Sequence, residues 1–165
     1  MAVQTGRTVT KWIRFGVDDA DGDPREIPID SLSPVGFVYD ESDLTAWQDA
    51  VKGYLSNHPD APIEITGPFD TTAEAAFAAS TAAPTLSGSH TVLSLIAGGN
   101  TPLGLAIMFG IRHYWTAGEP VFGIVSPSAT QGYLCTKYQV EGEKYSARFV
   151  PYPGSTPAWG TAILT

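Results

Sequence analysis

Three segments of the chain alternate apolar and polar side chains with the period of two that is typical of half-buried β-strands. The apolar positions that share one face are Val9, Ile13, Phe15 and Val17 in residues 8–17, Ile63, Ile65 and Phe69 in residues 62–69, and Tyr145, Ala147 and Phe149 in residues 144–150. Residues 103–109 and 121–125 are continuously apolar, which predicts strands buried on both faces. The pattern therefore predicts a mainly β protein.

Residues 133–150 are predicted to form a β-hairpin with a two-residue turn at Gly142 and Glu143. A type II′ turn at these residues places Glu141 opposite Lys144. The same register pairs Val140 with Tyr145, Tyr138 with Ala147, and Thr136 with Phe149. A slip of one residue would set the apolar side chains of one strand against the polar side chains of the other, so this register is favoured.

The predicted register also places two cations, Lys137 and Arg148, directly opposite each other. Like charges in such a cross-strand pair are destabilising. We therefore expect a carboxylate from a neighbouring strand, in this chain or in another copy, to bridge them.

Helical patterning is weaker and shorter. Serines at 87 and 89, followed by Val92, Leu95 and Ile96 and ending at Gly98-Gly99, predict one short capped helix over about 89–97. The alanine-rich residues 72–79, behind Asp70, predict a further turn or two.

Residues 43–55 give conflicting indications. Apolar side chains recur there at spacings of three, four and three, at Leu44, Trp47, Val51 and Tyr54. Taken alone, that spacing predicts an amphipathic helix that ends before the Asn57-His58-Pro59 breaker.

Composition limits the functions that the chain can have. Its 165 residues suit a single domain, 1–165. Only 16% of them are charged, whereas a soluble domain carries about 25%, which suggests that much of the surface is buried against other chains. A formal charge of −8 argues against nucleic-acid binding, which needs an excess of lysine and arginine. We find neither a signal peptide nor an apolar run of bilayer length.

The acidic run over residues 18–23 has some features of a calcium-binding loop. Asp19, Asp21 and Asp23 match the alternating ligands of an EF-hand loop, and Asp30 falls at its twelfth position. Pro24, however, stands where that loop requires glycine, and no helices flank the run. We therefore favour a solvated turn between two strands.

No group of residues predicts catalysis or a cofactor. His58, His90 and His113 have no metal-ligand spacing, and the single cysteine, Cys135, is expected to be a small apolar residue of the core or of an interface. The segment 86–90 lacks the G-x-S-x-G motif of a serine nucleophile. We expect no catalytic, cofactor-binding or metal-ligating residues, and no enzyme.

Aromatic residues leave two interpretations open. Four tryptophans, Trp12, Trp47, Trp115 and Trp159, together with seven tyrosines, are compatible with a carbohydrate-binding face. They are equally typical of a β-sandwich core with a subunit interface, which the low charge favours.

In order along the chain, several segments resemble the major tail tube proteins of long-tailed (siphovirus-type) bacteriophages. The resemblance covers about residues 9–100 and 130–150. It is carried by residues 13–19 (IRFGVDD), 25–27 (REI), 43–47 (DLTAW) with Asp49, Lys52 and Tyr54, 61–70 (APIEITGPFD), 90–93 (HTVL) and the hairpin at 132–150. Residues 111–131 depart from it, being longer and more aromatic.

The resemblance implies a β-sandwich or barrel-like tail tube fold with one short helix and long loops, in which residues 43–55 are strand and loop. It implies a structural virion protein, made in the host cytoplasm, that forms stacked hexameric rings with other tail proteins as partners. DNA passes through such a tube without specific binding. The alternatives are a head decoration protein, a tail terminator or completion protein, or a carbohydrate-binding β-sandwich module.

Such a tube implies a further electrostatic expectation. Six copies with a charge of −8 give −48 per ring, and an acidic wall repels DNA and leaves no deep binding minima. We therefore expect a net negative channel in which any lysine or arginine is paired.

Overall fold

The computed structural model describes residues 12–48, 50–74, 83–110 and 114–165. Among these residues α1 (Ser89–Ile96) is the only helix, and the rest is strand and loop, as the sequence predicts. The strands in chain order are β1 (Trp12–Asp18), β2 (Pro24–Ile27), β3 (Ser31–Leu32), β4 (Val38–Asp43), β5 (Tyr54–Asp60), β6 (Ile63–Pro68), β7 (Thr85–Leu86), β8 (Leu105–Gly110), β9 (Val121–Ile124), β10 (Tyr133–Glu141), β11 (Lys144–Pro151) and β12 (Ala158–Gly160).

Two sheets form the body of the protein. The six-stranded sheet has the order β12-β9-β8-β1-β2-β7, and the four-stranded sheet has the order β10-β11-β6-β3. Among the described strands, β4 and β5 pair only with each other, as a separate two-stranded hairpin. The named strand pairs are antiparallel except β2 and β7, which are parallel.

The main core lies between the two sheets. Phe15 of β1 and Phe149 of β11 meet across it, with ring centroids 5.4 Å apart. Alternate residues of β6 and β11 point into this core and are buried, as the period-two pattern predicts. Ile13 and Phe69 depart from that pattern, because they are 44% and 39% exposed. Residues 8–11 of the first predicted strand lie outside the described residues.

A second, smaller core covers the other face of the six-stranded sheet. Ala106, Met108 and Val121 pack there against Trp115 and Leu164. The atoms of the Trp115 indole approach Gly16 so closely that a Cβ at Gly16 would lie 3.2 Å from them. This second core explains why β8 and β9 are apolar on both faces, as the sequence predicts.

Truncating Trp115 to alanine is expected to lower the free energy of unfolding by about 3–5 kcal/mol, because it empties the second core. The substitution also removes the indole N–H that donates to Glu26 Oε2 at 2.9 Å. Chemical denaturation followed by circular dichroism measures the loss. Trp12→Ala is the matched control: Trp12 is 43% exposed, so a loss as large as that of Trp115→Ala would contradict the account.

The hairpin of β10 and β11 has the predicted register at its turn. Glu141 pairs with Lys144, and Gly142 has a φ of 62°, as the predicted turn requires. Farther from the turn the prediction is wrong, because Cys135, not Thr136, lies opposite Phe149. A β-bulge between Cys135 and Lys137 shifts the register there.

Helix α1 confirms the prediction of a short helix, but its details differ. Gly88 occupies the N-cap and makes no side-chain capping bond. The Ser89 hydroxyl instead donates to the Pro68 carbonyl at 2.8 Å, so the predicted serine cap is wrong. The buried face carries Leu93, whereas Leu95 is 68% exposed.

The helix suggested by the apolar spacing in residues 43–55 does not form. The described residues of this stretch are the end of β4, a loop and the start of β5, as the resemblance implies. Residues 71–74 are not helical either, and the rest of the alanine-rich stretch, 75–82, lies outside the described residues.

Candidate assembly surfaces

The hairpin of β4 and β5 and its connecting loop, residues 38–60, are called the arm below. The arm carries seven large apolar side chains that are more than half exposed. They are Val38, Tyr39, Leu44, Trp47, Val51, Tyr54 and Leu55. Trp47 is fully exposed, at 103% of its reference area. Because successive side chains of a strand point to opposite faces, both faces of the arm carry exposed apolar side chains. Exposed apolar surface of this kind is typical of interaction sites.

Hydrogen bonds fix the loop that presents Trp47. The Leu44 amide donates to the Gly53 carbonyl at 2.9 Å, and the Gly53 amide donates to Thr45 Oγ1 at 3.0 Å. The Thr45 amide donates to Asp43 Oδ1 at 2.9 Å. The hydrogen bonds from Thr45 hold the pKa of the Asp43 carboxyl below its usual value. The loop is thus closed across its base, and its apolar side chains are available for contact.

The root of the arm joins the body beside β9. Phe37 packs edge-on against Phe122 of β9, with ring centroids 5.6 Å apart. Phe122 in turn contacts Trp159 of the edge strand β12, at 5.0 Å between centroids. The arm therefore leaves the six-stranded sheet at its β9-β12 edge.

The outward face of the four-stranded sheet is polar and is called the polar face below. Cross-strand partners align there in three rows, which are Lys137-Arg148-Glu64, Gln139-Ser146-Thr66-Ser31 and Glu141-Lys144-Pro68. Lys144 Nζ lies 2.7 Å from Asp30 Oδ2. The hydrogen bond from Lys144 holds the pKa of Asp30 below its usual value. Cations and carboxylates thus both occur on this face.

The two cations that oppose each other in the hairpin are Lys137 and Arg148, as predicted. Arg148 Nη1 lies 2.9 Å from Glu64 Oε1 on β6, so a neighbouring strand of the same chain does supply a carboxylate. Within the described residues, however, no carboxylate lies within ion-pair distance of Lys137. The expected carboxylate therefore pairs with Arg148 but, among the described residues, not with Lys137.

The acidic run is a turn between β1 and β2, as favoured from the sequence. The Asp19 carboxylate accepts the amides of Asp21 and Asp23, each at 2.9 Å, and Arg25 Nε donates to it at 2.8 Å. Asp19 and Arg25 are both buried. In the described part of the chain, no three His, Cys, Asp or Glu side chains are placed to hold a metal ion.

Asp18, next to this turn, is buried, and no cation in the described part of the chain pairs with it. Its Oδ2 accepts the Gly104 amide at 2.8 Å. Burial raises the pKa of Asp18 to about 6, and the charges of Asp19 and Asp23 add to the rise. Since the folded pKa lies above the ordinary value of 3.8, the folded state binds the proton more tightly than the unfolded state does. The stability that protonation contributes is lost as the pH rises through about 6.

Asp18→Asn is therefore expected to raise the free energy of unfolding at pH 7.5 by up to about 3 kcal/mol and to change it little at pH 4. The amide oxygen keeps the acceptor for Gly104. Urea denaturation at the two pH values measures the effect. Asp19→Asn is the contrast, because it breaks a buried ion pair and is expected to cost about 3–5 kcal/mol. A lower stability of Asp18→Asn at pH 7.5 would contradict this account.

The other chemically interesting residues have structural contacts. His90 Nδ1 lies 2.8 Å from the Tyr138 hydroxyl, and the His90 ring packs on Phe69. Cys135 is buried in the main core, as expected, and burial raises the pKa of its thiol to about 11. His113 lies outside the described residues, and the structure does not describe the side chain of His58.

The tryptophans divide between core and surface. Trp115 is buried, whereas Trp12, Trp47 and Trp159 are 43% or more exposed. The described residues include no helix with the length and apolar character that crossing a bilayer requires. In the sequence, the low fraction of charged residues was the indication of an interface. Which aromatic residues are exposed could be seen only in the folded structure.

Comparisons with known proteins identify a fold. No family model matches the chain, and no curated protein matches it. Among solved structures, a chain of the cryo-EM structure of the anti-feeding prophage baseplate, symmetrised six-fold, matches with a TM-score of 0.58 and 8% identity, over 97% of this chain and 100% of that one. A chain of the sheath/tube terminator of an extracellular contractile injection system, in its extended state, matches with a TM-score of 0.48 and 10% identity, over 94% and 99%. The first of these matches shows that the chain has, over nearly its full length, the fold of a protein of the anti-feeding prophage baseplate.

Proposed function

We propose that this protein is a structural subunit of a phage tail or tail-like particle, in which copies form stacked rings, six to a ring, around a channel for DNA. The observation that carries the proposal is the arm, an exposed apolar hairpin on a chain whose whole fold matches a subunit of a six-fold baseplate. The resemblance to tail tube proteins of long-tailed phages favours the tube as its position in the particle.

The arm supplies the apolar area that a subunit interface needs. A tryptophan or tyrosine buries about 150–250 Å² in all when it is fully covered. Trp47 has this whole area left to bury, Tyr39 and Tyr54 have about half of it, and four aliphatic side chains add to the total. A stable interface needs about 800 Å² from each partner. The arm therefore supplies a large part of such an interface by itself.

The polar face suits the wall of a channel. Its cations Lys137, Lys144 and Arg148 are matched in number by the carboxylates of Glu64, Glu141 and Asp30. A wall whose charges largely cancel offers DNA no strong binding minimum. If this face lines the channel, the ion pairs of Lys144 with Asp30 and of Arg148 with Glu64, more than the net negative lining expected from the sequence, keep DNA from binding. Lys137 then requires a carboxylate from another copy.

The protein is proposed to act without catalysis. In support, the Ser89 hydroxyl is bonded to the backbone of Pro68, His90 to Tyr138, and the Cys135 thiol is buried. These contacts hold the fold together and leave none of the three side chains poised as a nucleophile or base.

Sedimentation velocity and negative-stain electron microscopy of the purified protein test the proposal. Rings or tubes with a central channel are the expected result. A protein that stays monomeric at concentrations of about 100 μM and binds glycans on an array would overturn the proposal in favour of the carbohydrate-binding alternative.

A further inference from the structure

A shallow groove crosses the surface at the β2-β7 edge of the six-stranded sheet. Its main lining residues are Trp12, Ile13, Arg14, Glu26, Pro28 and Leu86. Trp12 and Ile13 are more than 40% exposed, and Leu86 is 65% exposed. This surface, called the Arg14 groove below, is the second place where the described chain exposes adjacent large apolar side chains.

The guanidinium of Arg14 has hydrogen-bonding capacity to spare in this groove. Within the described residues it makes one hydrogen bond, from Nη1 to Glu26 Oε1, although a guanidinium carries five N–H donors. Its Nε is buried and has no partner among the residues that the structure describes. The other oxygen of Glu26 accepts from Trp115. A partly buried guanidinium with unused donors favours a ligand that brings a carboxylate.

The arm has the complementary chemistry. Residues 38–60 hold five acidic residues and one lysine, which gives a formal charge of −4. Glu41 and Asp43 share one face of the hairpin with Tyr54, which lies directly opposite Asp43. This face thus combines two carboxylates, which match the unused donors of Arg14, with an aromatic ring, which matches the apolar lining of the groove. The carboxylate of the groove itself, Glu26, is already paired with Arg14 and Trp115.

The arm and the Arg14 groove lie at opposite edges of one sheet. The arm leaves beside β9 and β12, whereas the groove lies beside β2 and β7. Six strands span roughly 24 Å at the usual spacing of strands. A contact between the arm of one copy and the groove of the next is therefore head-to-tail, and repeated head-to-tail contacts close into a ring when the rotation permits.

We propose that the acidic face of the arm of one copy docks in the Arg14 groove of the next copy. The inference rests on the proposed ring assembly and adds the surface that receives the arm. Glu41 and Asp43 bring carboxylates to Arg14, while Tyr54 packs against Trp12, Ile13 and Leu86.

The test introduces a charge into the groove at a position that the fold does not need. Leu86→Glu is expected to weaken association about tenfold or more in sedimentation experiments, because its carboxylate faces the acidic arm. Leu86→Arg is expected to weaken association less, and Glu41→Arg is expected to restore association in the Leu86→Glu variant. Leu95→Glu, at a residue of equal exposure on α1, is the matched control and should change nothing.

Crosslinking distinguishes a failure of the docking proposal from a failure of the proposed ring assembly. A photo-crosslinker at residue 54 should label residues 12–14 or 84–87 of another copy. If rings form but the crosslinks lie elsewhere, or Leu86→Glu and Leu95→Glu behave alike, the docking proposal is wrong and ring assembly stands. If the wild-type protein forms no oligomer, both are wrong.

Discussion

Replacing Leu44, Trp47 and Val51 together with serine is expected to leave the protein monomeric and folded. The three side chains are 61%, 103% and 80% exposed, so their loss should change the free energy of unfolding by less than about 1 kcal/mol. In the proposed assembly they lie at the buried centre of an interface, where removing a single tryptophan can cost about 2–4 kcal/mol of binding energy. Sedimentation velocity measures association, and denaturation measures stability.

Leu95→Ser is the control for this experiment, because Leu95 is 68% exposed on α1 and not on the arm. It should assemble like the wild type. Rings that persist in the triple variant would show that the arm is not the interface, and unfolding of the triple variant would show that the arm packs on its own body.

Gly123→Ala is expected to destabilise the folded state strongly. Gly123 has a φ of 143°, and a Cβ there would lie 2.0 Å from the Leu105 carbonyl oxygen on the paired strand β8. The strand must therefore move or unpair, at a cost of about 3–5 kcal/mol. That is a large part of the 5–15 kcal/mol by which domains are ordinarily stable. Urea denaturation followed by circular dichroism measures the loss.

Gly118→Ala isolates the contribution of the backbone conformation. Gly118 also has a positive φ, of 103°, but nothing lies within 4 Å of its Cβ position. Its cost should be about 1 kcal/mol. Equal losses at Gly118 and Gly123 would mean that the contact with Leu105 is unimportant.

The sequence predicts those parts of the fold in which the alternation of apolar and polar residues matches the alternation of buried and exposed side chains. The register at Glu141 and Lys144 follows from a two-residue turn and from the alternation of buried residues in β11. The bulge near Thr136 arises from a contact distant in sequence, since the Gly98 amide donates to the Cys135 carbonyl at 2.9 Å and Leu103 bridges to Tyr133. No local pattern contains that information.

The arm shows why periodicity failed in residues 43–55. Its apolar side chains do not pack into the core of their own chain, so their spacing does not record which face of an element is buried. The resemblance to tail tube proteins predicted strand and loop there, because it rests on the order of whole segments along the chain and not on the spacing of apolar residues. The Arg14 groove was not predicted, because Trp12 and Leu86 come together only through the pairing of β1, β2 and β7.

A cryo-EM map of the assembled protein tests whether this chain forms a tube. The expected result is a six-fold ring in which the polar face, with Lys144 and Arg148, lines a continuous channel, and in which the arm of each copy contacts a neighbouring copy. A compact oligomer without a channel, or a ring whose channel is lined by unpaired lysine and arginine side chains, would contradict it.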